Sequence, residues 1–197
     1  MRLHEVMEQD WAKPTLDYLA TTQHAIASRF EESCRYVSLH HKNANAFSYE
    51  FASILRDACS AFGSFSGAVV QCLNPKNKDP KIAGFFDLYS LYAPEFPKDY
   101  IDVVVLSGPR RRLQPFCGWT RGKPPAWWSA YNKVKHSEYK HAEEGNLQNA
   151  TNAVAAVEII LRRATLNRKG TGLFSPWGCP WDPGEPGTRI QRLFYPP

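Results

Sequence analysis

One run of apolar residues constrains this chain more than any other. Phe51, Ile54, Leu55, Ala58, Cys59, Phe62, Phe65 and Val69 recur at intervals of three and four, the spacing of a helix with one buried face. Ser48 stands at its start as an N-cap, and Glu50 in the first turn complements the positive end of the helix. Asn74-Pro75 ends it, because proline cannot continue a helix and restricts the residue before it. A helix this long and this one-sided needs other helices to cover it.

The neighbouring segments supply them. Residues 9–33 read as a helix with Leu16, Leu19, Ile26 and Phe30 as a looser stripe, and 42–46 as a loop. Residues 82–92 read as a shorter helix, stopped by Pro94 and Pro97. Ile101, Val103, Val104, Val105 and Leu106 change the pattern to strand, and Ser107-Gly108-Pro109 breaks it before 110–116 resume. That predicts a small hairpin over 101–116 with Arg110, Arg111 and Arg112 at its tip. A helix follows Lys123-Pro124-Pro125, and a last one carries Leu147, Ala150, Val154, Val157, Ile160 and Leu161 before ending near Gly170. The expected fold is all-α: four or five helices in a bundle over 1–170, with a hairpin insertion. An irregular tail over 171–197, rich in proline and glycine, is expected to pack on it through Trp177, Trp181, Phe194 and Tyr195.

Composition narrows the function classes. Hydrophobic residues make up 43% of the 197, enough for a core. The N-terminal residues lack the apolar segment of a secretion signal, and no run is long and apolar enough for a membrane helix. Five cysteines without a CxxC pair point to reduced thiols in a cytoplasmic protein, and away from a structural zinc site. With no glycine-rich phosphate loop and no paired-carboxylate metal site in the sequence, no cofactor is expected. Residues 1–100 carry ten Lys/Arg against twelve Asp/Glu, and 101–197 carry fourteen against seven. The basic half suits a nucleic-acid or nucleotide partner, or simply solubility.

Chemistry concentrates at Trp127-Trp128-Ser129-Ala130-Tyr131-Asn132-Lys133-Val134-Lys135-His136. On a helix, Trp128, Asn132 and His136 share a face. His136 has a side chain that can take and give a proton near neutrality, and Asn132 can orient it or hold a phosphate oxygen. The alternative is that the two bond each other or backbone groups across the bundle and specify the fold. Lys133, Lys135 and Lys140 are candidate phosphate contacts, as is the Arg110–Arg112 cluster. Arg56 and Asp57, off the apolar stripe of their helix, are candidates for a supporting ion pair beside His136. Trp127 and Trp128 read as core anchors. Arg35-x4-His40 also has the spacing of an Arg…His pair, but chance supplies about one such match in a chain of this composition.

Phe47 to Cys59 together with the later Trp-Trp-x-Ala-Tyr-Asn-Lys-Val-Lys-His resembles a divergent, uncharacterised bacterial branch of the HEPN superfamily (higher eukaryotes and prokaryotes nucleotide-binding), over residues 30–165. The resemblance implies a helical bundle that is often a homodimer. It also implies a metal-independent ribonuclease role, commonly in toxin–antitoxin or phage-defence systems. The family's active motif is Arg, a polar residue, a short spacer and His. Asn132 and His136 match it, while Tyr131 stands at the arginine position. A neutral phenol cannot offset charge on a phosphate as a guanidinium does, leaving Lys133 or Lys135 as a point charge. The expectation is therefore an RNA- or nucleotide-interacting protein, non-catalytic or regulatory. The alternative is an endoribonuclease in which His136 does acid–base work, Asn132 orients and Lys135 stabilises charge.

Overall fold

The fold is taken from a computed structural model, which describes residues 2–103 and 111–165. Six α-helices and one two-stranded hairpin make it up. α1 spans Leu3–Val6, α2 Ala12–Cys34, α3 Tyr49–Leu73, α4 Ile82–Tyr92, α5 Ala126–Ser137 and α6 Leu147–Thr165. β1 (Ile101–Val103) pairs antiparallel with β2 (Arg111–Leu113), Asp102 opposite Arg112. The all-α class with a hairpin insertion is the one expected from the sequence. The four-residue α1 was not foreseen, and it brings the helices to six.

α3 is the central helix because its apolar residues leave little of its circumference polar. Phe51, Ile54, Leu55, Ala58, Cys59, Phe62, Phe65 and Val69 are all buried. Ser48 caps it as its residue type dictates, Oγ accepting from the Phe51 N–H at 3.0 Å. α2, α4, α5 and α6 pack around α3, and α6 also contacts α2 and α5. α6 differs from expectation. Its apolar positions predict one buried stripe, yet all eight residues from 153 to 160 are buried. Ala150, Ala153, Ala155 and Ala156 let neighbouring helices approach on faces that a stripe of large residues would not mark. Glu158 lies among them, accepting from Gln23 of α2 at 3.3 Å and from Arg162 at 2.7 Å.

The turn into α6 passes directly over the start of α3. The Ser48 N–H donates to the Gly145 carbonyl at 3.2 Å. A Cβ at Gly145 would stand 2.6 Å from the Ala52 Cβ and 3.0 Å from its Cα. Gly145→Ala is therefore expected to destabilise the protein by about 1–3 kcal/mol, the usual cost of overpacking. A denaturant midpoint unchanged from wild type would contradict that close approach.

Candidate functional site

α5 starts where it does because Pro124-Pro125 precede it, with Pro125 at the cap position. Its buried side is Trp127, Ala130 and Val134. Trp127 is fully enclosed, and its indole N–H donates to the Pro115 carbonyl at 2.8 Å, as a buried indole requires. This anchor sets the rotation of the helix. It turns Trp128, Tyr131, Asn132 and Lys135 toward one groove.

That groove has a volume of about 440 Å³, in the range of small-ligand sites. Its floor is Ser60, Gly63 and Ser64 of α3, and its far wall is Ile82 and Phe85 of α4 with the Asp79–Lys81 segment before it. Trp128 closes one end, its ring packed on Phe62, Phe85, Trp127 and Tyr131. A glycine at 63 is what gives the indole room: a Cβ there would meet its edge at 3.3 Å. Tyr131 lies 5.3 Å from Trp128 between ring centres, and the Lys135 ammonium sits 5.5 Å from the Tyr131 ring centre, within cation–π reach. Lys81 is paired with Asp79 at 2.5 Å.

Asn132 and His136 part company here. Asn132 is half-buried and lines the groove. Four residues later the helix has turned about 40° further round, and His136 is exposed and outside the groove lining. No hydrogen bond joins the two among the described residues. They are therefore neither a buried structural pair nor two walls of one pocket.

The other candidates are spread out. Lys133 is engaged by Glu144, which raises its pKa, and lies away from the groove. Lys140 is exposed in the 3-10 turn Glu138–Lys140. Arg56 and Asp57 do not pair with each other. Arg56 reaches Glu138, just past α5, whereas Asp57 accepts from Arg29 of α2 at 2.6 Å. One residue of helix is a rotation of about 100°, so the two side chains serve different neighbours.

The arginine cluster is likewise divided. Arg110 lies outside the described residues. Arg111 is not at a tip: it is half-buried in β2, donates to Gln148 of α6, and has its pKa lowered by burial. Arg112 bonds across the strands to Asp102 at 3.0 Å, which raises its pKa, and stacks 3.7 Å over the Tyr100 ring centre. Both fasten the hairpin. A period-two strand places adjacent residues on opposite faces, which is why these neighbours do different things.

Among the described residues no group of three His, Cys, Asp or Glu side chains could hold a metal, and no helix is long and apolar enough to cross a membrane. Cys34, Cys59, Cys72 and Cys117 are free thiols. Burial pushes the Cys34 thiol up to about 12, far from a reactive thiolate. The groove residues that sequence reasoning passed over are Cys59, Ser60, Gly63 and Ser64 of α3, Asp79, Pro80 and Lys81, and Ile82 and Phe85 of α4. The only signal for them was the run of small residues at 60, 63 and 64, one face of α3 without bulk. No family model matches the chain, and neither does any curated protein or solved structure.

Proposed function

We propose that this chain is an RNA- or nucleotide-interacting helical protein that binds without cleaving, and that the α5 groove is its binding site. The observation that carries the reading is the convergence of Trp128, Tyr131, Asn132 and Lys135 on one groove whose lining omits His136. Aromatic walls suit a base ring, which stacks irrespective of sequence. The Asn132 amide has both donor and acceptor for a base edge, and Lys135 offers charge to a phosphate. A cytoplasmic setting and a homodimeric state belong to the same reading; they await fractionation and sedimentation.

One observation favours the endoribonuclease reading instead. His136 is exposed and has no hydrogen-bond partner among the described residues, so its imidazole is open to a bound chain. A single set of measurements separates the two. Under the binding reading, single-stranded RNA quenches tryptophan fluorescence, Lys135→Ala weakens that binding by several-fold, and RNA stays intact with or without chelator. Under the second, RNA is cut without metal and His136→Ala abolishes cutting. An exposed position changes stability by no more than about 0.5 kcal/mol, so loss of cutting in that variant would not be a folding artefact. Absence of any RNA or nucleotide binding would sink both.

A further inference from the structure

Among the described residues five Tyr or Phe side chains are exposed. Tyr18, at 52%, lies in the first half of α2, whereas Tyr36, Phe47, Tyr49 and Tyr139, at 84%, 59%, 85% and 87%, lie on the segments that lead out of α2, into α3 and into α6. Tyr36 shares a surface hollow with Ser48 and Phe51. Phe47 bridges Asn146. Tyr49 begins the stripe of α3 that continues through Ser53 to Arg56, and Arg56 holds Glu138, the neighbour of Tyr139.

The segment that carries Tyr139 adjoins the groove. Lys135 lines the groove at one end of the last turn of α5, and Tyr139 and Lys140 follow it in the adjoining 3-10 turn. Charge along the path is one-sided. Lys135 and Lys140 have no ion pair among the described residues. Of the acids between and beside them, Glu138 is matched by Arg56 and Glu144 by Lys133, while Glu143 lies 4.0 Å from His141, a charge partner only when that ring is protonated. Glu50, next to Tyr49, is matched by Arg29 at 3.0 Å. Exposed π-faces among unpaired lysines fit a flexible polyanion that carries its own rings. They fit a second copy of the same surface poorly, because its lysines would face lysines.

We infer that the ligand is a single-stranded RNA segment of several nucleotides rather than a mononucleotide, one base entering the α5 groove and its neighbours stacking on Tyr139 and Tyr49. This rests on the groove being a nucleotide site, and it decides what that reading leaves open, the length of what binds.

The test compares uridine monophosphate with oligouridines of about four and about eight nucleotides, lengths a surface of this kind spans. Each is titrated into the wild-type chain and into Tyr49→Ala/Tyr139→Ala. Both tyrosines are exposed, so the double variant should keep the wild-type melting temperature. Affinity should rise with length in the wild type. In the variant, oligomer affinity should fall by about tenfold or more, the scale of losing one or two stacked bases, while monophosphate binding stays as it was. Equal affinity for all lengths in the wild type would overturn the inference but leave the groove reading standing. So would a variant that keeps the full length dependence. A wild-type dimer that the double variant dissociates would identify this surface as a self-interface and overturn the inference as well. If the wild type binds neither monophosphate nor oligomer, the groove reading itself fails.

Discussion

Phe62→Ala should cost about 3–5 kcal/mol, the range for truncating a fully buried aromatic. Phe62 is 1% exposed at the middle of α3. Its ring centre lies within 5.4 to 6.1 Å of those of Phe85, Tyr89, Phe116, Trp119, Trp127 and Trp128. Those six rings come from α4, α5 and the segment between β2 and α5, so Phe62 is where three stretches of the chain meet on α3. Removing it leaves a void lined by rigid rings that interlock with one another, which limits relaxation and places the cost toward the upper end. The loss should appear as a lowered denaturant midpoint. Because Trp128 packs directly on Phe62, the variant should also loosen the end wall of the groove. Binding would then weaken in the part of the protein that remains folded. A loss near 1 kcal/mol would mean that the aromatic cluster collapses into the gap, and that α3 is not the common support of these segments.

The same residue shows which parts of the fold were legible in the sequence. Phe62 belongs to a stripe with helical spacing, so its burial follows from periodicity alone. α4 runs over the very span, 82–92, that its apolar content and Pro94 delimit, and α3 begins after the serine that caps it. These are local effects, in which a few adjacent residues carry the physics. α6 was less legible because alanine marks no face: it is equally content exposed or pressed against another helix, and here it is pressed. Ion pairs were least legible. Arg56 and Asp57 are adjacent in sequence, and only the packing of α2 and α5 on different sides of α3 decides that Glu138 takes one and Arg29 the other. The groove follows the same rule. Its α5 wall was visible as a polar and aromatic helix face. Its floor is an absence of side chains at Ser60, Gly63 and Ser64, which matters only once Trp128 and Phe85 are set beside it. His136 was grouped with Asn132 by spacing, yet four residues overshoot a full helical turn. At a groove edge that overshoot is enough to put one residue in and the next out.

Arg163→Leu should cost about 3 kcal/mol near neutral pH, and the cost should shrink in acid. Arg163 in the last turn of α6 holds Asp99 with two hydrogen bonds, Nε to Oδ2 at 2.7 Å and a second, shorter one from Nη2 to Oδ1. The side chains are only 24% and 12% exposed. Asp99 ends the turn that leads into β1, so the pair fastens the hairpin side of the molecule to α6. Burial raises the Asp99 pKa above its ordinary value, and Arg163 is the group that pulls it back down. Deleting the arginine strands a buried carboxylate, for which losses of about 3–5 kcal/mol are usual. The partial exposure of Arg163 sets the expectation at the lower end. Without the guanidinium, desolvation acts unopposed and the carboxyl pKa rises further. A carboxyl whose pKa is higher folded than unfolded binds its proton more tightly in the folded state. The stability linked to that proton is present below the unfolded pKa and lost as pH rises through the folded one. The deficit of the variant should therefore be largest at about pH 7 and smaller at about pH 5, approaching the ordinary carboxylate range. Asp99→Asn combined with Arg163→Leu removes the stranded charge altogether, so the double variant should recover much of the loss and show no such pH dependence. Urea unfolding of the three proteins at both pH values decides it. A deficit equal at both would mean that Asp99 finds water or another cation when Arg163 is gone, and that the pair is not what holds the hairpin to α6.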